Sequence, residues 1–327
     1  MLVDSFGRKH SYLRISLTDR CDLRCFYCMP EESYDFVPSA HLMQAQEIYD
    51  IAKVFVDHGV TKIRITGGEP LVRKDAEQIL QHLGGLPVEL HLTTNGVRLH
   101  HFLSTLKHIP IKGVNISLDT LKAERFKEIT RRDRFAQVWQ NINALILHNI
   151  PTKINVVVMR GVNEDEVLDF IQLTKELSVE VRFIEFMPFE GNRWTDSKVF
   201  TKEEILGLTS TLESNITTLP YLKSDTARKY QVEGYKGTFA IISTLSQPFC
   251  EGCNRIRLTA DGKLKNCLFS KTEEDLLQAF RQGAEIAPLI QKAVWGKAKA
   301  LGGQWSADFH EINSEDLQNR TMISIGG

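Results

Sequence analysis

The 327-residue chain contains no apolar run approaching the roughly 18–20 residues that a membrane-spanning helix needs. It has no low-complexity tract and no internal repeat beyond a strand–helix unit. Neither sign of charge is in excess, since 40 Lys and Arg stand against 41 Asp and Glu for a formal net charge of −1. A chain so balanced has no global basic field for wrapping nucleic acid or coating a membrane, so any affinity for an anion must come from a local basic site. Strand-like sequence begins by Tyr12, which leaves no room ahead of it for a signal or transit peptide. The expectation is a soluble cytoplasmic protein with no nucleic-acid or membrane partner.

Cysteine is equally sparse, with six in all, yet no thiol is isolated. Cys21-Asp22-Leu23-Arg24-Cys25-Phe26-Tyr27-Cys28 spaces three of them C-x3-C-x2-C, and Cys250, Cys253 and Cys267 make a second triad. A chain of this length needs no disulfide staples, and clustered thiols in a reducing compartment point to metal. Soft thiolates favour zinc or an iron–sulfur cluster. Structural zinc wants four protein ligands, and no fourth Cys or His lies near the first triad, the next His along the chain being His41. A cubane held by three cysteines leaves one iron open to a small molecule. On spacing alone, a zinc knuckle and buried, inert cysteines remain as alternatives.

Between the triads the hydrophobic pattern alternates between periods of two and of about 3.6 residues. Strands are expected at 12–18, 62–66, 88–93, 114–118, 152–158 and 180–186. Helices are expected at 44–58, 75–83, 135–148 and 164–177. Six strands alternating with helices imply a parallel sheet of βα units, with chemistry collected at the strand ends. Beyond Met187 the rhythm breaks. Thr201-x-x-Glu204 reads as a capping box opening a helix to about Leu212. Paired strands are expected at 228–234 and 237–243, and a hairpin at 254–259 and 262–268 would return Cys267 beside Cys250 and Cys253. Two helices follow at 273–282 and 285–300. The boundary between the two units is expected near 195–225, giving 5–220 and 221–327.

One face of the predicted strands is repeatedly polar and cationic: Arg14, Arg64, Asn115 with Ser117, Lys153 with Asn155, and Arg182. Helices packed outside would bury the apolar set and leave these inward. Buried cations need counter-charges, and Glu185 or Glu69 are the candidates within the chain. The excess of cations over anions points instead to a polyanionic ligand, with phosphate groups the natural class.

The first triad, followed one βα unit later by Gly67-Gly68-Glu69-Pro70, resembles the radical S-adenosylmethionine (SAM) enzymes. That resemblance implies an incomplete (βα)6 TIM-like barrel with a C-terminal Fe–S domain. It also implies a low-potential [4Fe–4S] cluster on Cys21, Cys25 and Cys28 whose open iron chelates SAM. Gly68 and Glu69 would then hold the methionine end, and Ser117, Met187 and Tyr27 the ribose and adenine. Further along, Phe249-Cys250-x-x-Cys253-Asn254-Arg255-Ile256-Arg257-Leu258 and Lys265-Asn266-Cys267-Leu268-Phe269 resemble the GTP 3′,8-cyclase (MoaA) family of molybdenum-cofactor biosynthesis. The likeness runs through Thr93-Thr94-Asn95-Gly96, Val114-Asn115-Ile116-Ser117-Leu118-Asp119 and Arg182-Phe183-Ile184-Glu185 to the terminal Gly-Gly.

By that resemblance Cys250, Cys253 and Cys267 hold a second [4Fe–4S] cluster that offers its open iron to guanine. Arg14, Arg64, Thr93, Lys153, Arg255, Ile256 and Arg257 approach GTP. Arg182 joins them from strand parity, while Arg257, Gly326 and Gly327 carry catalysis. The implied reaction abstracts hydrogen from ribose C3′ of GTP and closes C3′ onto guanine C8, the first step toward molybdopterin. Its implied partners are a low-potential electron donor, the next enzyme of that pathway and a second copy in a homodimer. Two rivals are weighed. A twin-cluster peptide-modifying maturase would need more C-terminal cysteines and an open groove. A non-catalytic electron-transfer or zinc protein would be exposed by iron and sulfide analysis.

Replacing Cys21, Cys25 or Cys28 by Ala is expected to abolish reductive SAM cleavage. Replacing Cys250, Cys253 or Cys267 is expected to spare SAM binding and lose nucleotide turnover. Equal loss of SAM binding in both sets, measured by equilibrium dialysis, would show that the triads do not act separately.

Overall fold

Alternation in the first strand, Tyr12–Ser16 (β1), sets the two faces on which the rest is laid. Leu13 and Ile15 are wholly buried on one side, while Tyr12 and Arg14 on the other are only half-buried. The computed structural model describes residues 1–31, 33–212, 214–305, 308–313 and 317–326. In it the same alternation recurs in Lys62–Thr66 (β2), Glu89–Thr94 (β3), Ile111–Ser117 (β4), Thr152–Val158 (β5) and Glu180–Glu185 (β6). These strands lie side by side in chain order, and each neighbouring pair is parallel. Ile63, Ile65, Leu90, Leu92, Val114, Ile116, Ile154, Val156, Val181 and Phe183 continue the apolar face. They form one cluster with Ile48, Ile51 and Phe55 of the helix Ala45–Asp57, Val138 and Ile142 of Phe135–Leu147, and Phe170 and Ile171 of Val167–Glu176. The expected incomplete (βα)6 barrel is present.

The sheet stays open, and the C-terminal third extends it on both edges. Ile216–Thr218 (β7) and Arg228–Val232 (β8) reach β6 through Thr238–Ile242 (β9), which runs parallel to it. On the opposite edge Arg255–Leu258 (β10) lies parallel to β1, followed outward by Lys263–Lys265 (β11) and Glu274–Asp275 (β12). Added strands cover the backbone groups that a six-strand half-barrel would leave unpaired. The β10 register also places the chemistry. Tyr12 pairs with Arg255, so Cys253 precedes the strand at the base of β1, whereas the Cys21–Cys28 loop leaves its top. The two triads therefore sit at opposite ends of the same strands, separated by about 13 Å of strand rise.

Several expectations needed adjustment. The segment expected as one helix at 164–177 is a 3-10 turn Glu164–Glu166 followed by the helix Val167–Glu176. The helix expected at 273–282 gives its start to β12 and begins at Leu276, and the one expected to reach Ala300 ends at Trp295. The capping box is formed, with Thr201 N–H donating to Glu204 at 2.9 Å and the helix running Lys202–Thr209. The C-terminal tail forms a short helix, Met322–Ile325.

The docking of β9 depends on Gly237. A Cβ there would stand 2.2 Å from the Val179 carbonyl oxygen and 2.7 Å from that of Leu177, both on the approach to β6. Gly237→Ala is expected to destabilise the fold by about 1–3 kcal/mol, the range typical of overpacking. An unchanged midpoint in anaerobic urea unfolding would show that this edge yields without cost.

A candidate active site between two cysteine triads

The polar strand faces converge on a cavity of about 570 Å³, whose lining carries eight Lys and Arg against two acids, Glu89 and Asp225. Register makes this excess acute. Arg257, Arg14 and Arg64 occupy matched positions on β10, β1 and β2, with His91 next on β3. Neighbouring strands lie about 4.8 Å apart, so three guanidiniums stand in one row. Burial, with Arg64 and Arg255 beside it, lowers the Arg14 pKa to about 10 against the pull of Tyr12. His91 is held neutral, pushed down to about 3 by burial and then by Arg64, Lys62, Lys153 and Arg182.

The second cationic group has its own anion. Lys153 Nζ lies 3.0 Å from both carboxylate oxygens of Glu180, Arg182 Nε donates to the same side chain, and Lys229 Nζ stands 3.3 Å away. Burial opposes ionisation of Glu180, but Arg182, Lys153 and Lys229 outweigh it and bring its pKa to about 2. Burial and Arg182 in turn lower Lys153 to about 8. The counter-anions expected from sequence, Glu185 and Glu69, serve elsewhere. Glu185 accepts from Leu245 N–H at 2.9 Å and Ser246 N–H at 3.1 Å. Glu69 accepts from Leu71 N–H at 2.9 Å, Thr94 Oγ1 at 2.8 Å and Asn95 N–H at 2.6 Å.

At the top of the strands a second cavity of about 220 Å³ is lined by Cys21, Cys25, Cys28, Tyr27, Gly67, Gly68, Ser117 and Asp119. It shares Thr93, Asn155, Ile184, Met187 and Met322 with the cationic cavity, so the two adjoin. The cysteine loop is pinned where Arg24 and Phe26 N–H groups donate to the last carbonyls of the helix Ala123–Thr130, at 2.9 and 3.0 Å. Gly67 and Gly68 are required by the other side of this loop. A Cβ on Gly68 would lie 2.6 Å from the Asp19 and Arg20 carbonyl oxygens, and Gly68 N–H donates to Thr18 O at 2.6 Å. Tyr27 donates to Asp119 at 2.6 Å, and burial raises that carboxyl to about 6 although Tyr27 and Val157 N–H bond it.

At the base, Cys250, Cys253 and Cys267 line the cationic cavity itself. Lys297, 3 % exposed, brings its ammonium to 3.3 Å from Cys253 Sγ and donates to Arg255 O at 2.7 Å. Burial would raise the Cys253 thiol, but Arg255 and Lys297 bring it to about 6. Burial raises Cys250, and the first triad follows the same direction. Burial lifts Cys21 and Cys28 to about 12, with Glu69 and Cys21 respectively adding to it, and raises Cys25 well above its ordinary value. These thiols ionise only against a strong local cation, as metal binding provides.

Among the described residues no three His, Cys, Asp or Glu side chains close on a single-ion site. Three soft thiols in one loop are a donor set that suits an iron–sulfur cluster. Each triad offers three thiols on one cavity wall, and N–H groups point at sulfur: Leu23 to Cys21 at 3.4 Å, Leu301 to Cys250 at 3.5 Å, and Asn95 Nδ2 to Cys21 at 3.7 Å.

The tail reaches this space. Arg257 donates to the Gly326 carbonyl at 2.6 Å, and Gly326, at φ +81°, has no room for a Cβ, which would come 2.5 Å from Thr66 Oγ1 and 2.9 Å from Ser16 Cβ. Gly327 lies outside the described residues. Ile325 packs with Phe189, Phe269 and Leu301, while Met322 lines both cavities.

Of the residues expected at the site, Arg14, Arg64, Thr93, Lys153, Arg182, Arg255 and Arg257 line the cationic cavity, and Tyr27, Gly68, Ser117 and Met187 the upper one. Two are corrected. Ile256 alternates to the far face of β10 and is wholly buried in the apolar core, so its side chain cannot reach a ligand. Glu69 is sealed behind Gly68 with both carboxylate oxygens bonded, so it braces the loops around the upper cavity and does not line it. Sequence reading missed Tyr12, Lys62 and His91, which strand parity with Arg14 and Arg64 would have supplied. It also missed Asp119 and Lys297, for which no local pattern gives a signal.

The Radical SAM superfamily model matches residues 15–174, and Molybdenum Cofactor Synthesis C matches 179–302. The chain is 45% identical over 331 residues to molybdenum cofactor biosynthesis protein 1 of Mus musculus, covering 99% of this chain and 51% of that protein. It thus spans about half the length of that relative. It is 42% identical to the mitochondrial GTP 3′,8-cyclase of Arabidopsis thaliana, over 100% of this chain and 84% of that one. To the GTP 3′,8-cyclase of Desulforamulus reducens it is 40% identical over the full length of both. The crystal structure of Streptococcus suis SuiB shares the fold, with a TM-score of 0.64 at 14% identity over 90% of this chain and 67% of that one.

Hydrogen bonds to charged groups contribute about 1.5–3 kcal/mol each, so Arg14→Ala, Arg64→Ala and Lys153→Ala are each expected to weaken inorganic tripolyphosphate by about tenfold or more. Titration calorimetry showing wild-type affinity in Lys153→Ala would remove that residue from the phosphate subsite.

Proposed function

The chain belongs to the radical SAM superfamily and carries the Molybdenum Cofactor Synthesis C module; on that premise we propose that it is a GTP 3′,8-cyclase, the enzyme that opens molybdopterin synthesis. The observation that carries this reading is the eight-to-two excess of cations in a cavity that joins the two triads. A nucleoside triphosphate suits it, with the phosphates on the cations, the base toward Cys250, Cys253 and Cys267, and the ribose toward the upper cavity. Family membership brings SAM and an iron–sulfur cluster, held by Cys21, Cys25 and Cys28; a second [4Fe–4S] cluster on the lower triad is part of the proposal.

A cluster held by Cys21, Cys25 and Cys28 would, together with SAM, supply the radical chemistry that hydrogen abstraction from ribose C3′ and closure onto guanine C8 require. The chain's own residues bind, orient and shield. Gly67 and Gly68 keep the turn against the cysteine loop, and Glu69 fixes that turn to Thr94 and Asn95. Tyr27, Ser117 and Met187 form the wall for the ribose and adenine of SAM, with Tyr27 oriented by Asp119. Arg14, Arg64, Arg257, Lys153 and Arg182 neutralise the phosphates, and Thr93, bonded by Arg64 at 3.2 Å, stands in the wall shared by both cavities. Arg255 stacks over Phe249 at 4.8 Å and donates to Ser224 O at 3.2 Å, closing the side next to the lower triad.

The reading includes a low-potential electron donor, the next enzyme of the pathway and a homodimer acting in the cytoplasm, with the barrel over 5–220 and the second-cluster unit over 221–327. Among the described residues no helix is long and apolar enough to cross a membrane. Reduced protein incubated anaerobically with SAM and GTP is expected to yield 5′-deoxyadenosine and a cyclised nucleotide, read by mass spectrometry. Deoxyadenosine without a cyclised nucleotide would defeat the assignment.

The Arg257–Gly326 contact generates a second test. Removing Gly326 and Gly327 is expected to leave the fold, both clusters and GTP binding largely intact while product formation collapses. A peptide matching the tail, added in trans, is expected to restore part of it. Turnover at the full-length rate would make the tail a passive end.

A further inference from the structure

Tyr12 stands at the base of the cationic row, and the proposed reaction gives it no role. Its phenol oxygen accepts a hydrogen bond from Arg64 Nε, and the Arg14 guanidinium bonds to it as well. A guanidinium offers only donors, so neither of the two partners on this phenol oxygen can accept its proton. The ring is flanked too, with the Lys62 ammonium 5.1 Å and the Arg64 guanidinium 6.0 Å from its centre. From β10, Arg255 is its register partner and Arg257 adds a further positive charge; from β3 come Glu89, 3.9 Å from Lys62, and the neutral His91.

We propose that Tyr12 is the resident counter-anion of the phosphate subsite, holding Arg14 and Arg64 as a phenolate in the ligand-free protein and releasing them when a phosphate chain enters. As the cations pass to the phosphate oxygens, the phenolate takes one proton from solvent and becomes a phenol. This role rests on the phosphate-binding reading of the cavity. Charge balance gives it a reason: a row of three guanidiniums, two of them buried, is costly until an anion meets it, and a tyrosine supplies one that a proton can switch off. Burial raises the phenol pKa, yet Arg64, Arg14 and Lys62 bring it down to about 7. The other described tyrosines whose values shift, Tyr27, Tyr34 and Tyr230, all move upward.

Inorganic tripolyphosphate is the probe, because it does not absorb in the near ultraviolet and needs no turnover. Added to the anaerobic holoprotein near pH 8, it is expected to remove the near-ultraviolet tyrosinate band of a single residue. In Tyr12→Phe that band is expected to be absent at the outset. The ratio of wild-type to Tyr12→Phe dissociation constants is expected to rise about eightfold between about pH 7.5 and 8.5, because only the wild type must protonate a phenolate to bind. Comparing the two proteins cancels the titration of tripolyphosphate itself. The band is read on the wild type, so it decides even if the variant fails to fold. Binding without loss of tyrosinate overturns the proposal, and so does failure of tripolyphosphate to bind. Binding with tyrosinate loss upholds it, and would do so even where SAM and GTP give no cyclised product, a result that would strike only the cyclase assignment.

Discussion

Three guanidiniums set side by side across three parallel strands are the constraint on which this structure turns. Arg257, Arg14 and Arg64 share one register row, and strand spacing sets their backbones about 4.8 Å apart from strand to strand. Like charges so close, partly removed from water, repel strongly and lose hydration. The surrounding chain answers with whatever acceptors it can bring. The Gly326 carbonyl meets Arg257, and the Tyr12 oxygen meets Arg14 and Arg64. Glu180 takes the separate group of Lys153, Arg182 and Lys229. The compensation is incomplete, which leaves the cavity attractive to a polyanion.

The same economy explains why the tail is ordered. Two terminal glycines gain little from burial and lose much entropy on fixing. Gly326 is nonetheless held against Ser16 and Thr66, where no other residue fits without displacement, and its carbonyl satisfies a buried cation. The apolar anchor is Ile325 among Phe189, Phe269 and Leu301. Packing holds the segment while electrostatics aims its end.

The two ends of the barrel are chemically unlike because their thiols are surrounded differently. The upper triad is enclosed by apolar surface and carboxylates, with Glu69 and Asp119 both raised by burial, so its thiols resist ionisation without a metal. The lower triad faces Lys297 and Arg255, and Cys253 is already favoured as thiolate.

Features carried by a few consecutive residues were legible from the chain alone. Three thiols within eight residues must lie together whatever the fold does, and a period of two marks β1 to β6 wherever they pair, which is why the six βα strands and the inward parity of Arg14, Arg64, Lys153 and Arg182 could be read directly. Everything that depends on which distant strands meet was decided by tertiary structure. The pairing of β10 with β1 put the triads at opposite ends and aligned Arg257 with Arg14. The pairing of β5 with β6 made Glu180, rather than Glu185 or Glu69, the partner of Lys153. The same β10 register turned Ile256 into the core while its neighbours Arg255 and Arg257 faced the cationic cavity. Lys297, just beyond the end of the helix Ala287–Trp295, reached Cys253 from more than forty residues away in the chain. The physical reason is common to all of these: a side chain's face is set by its own strand's two-residue period, but its charge partner is set by register, and register is a property of two segments that the sequence lists far apart.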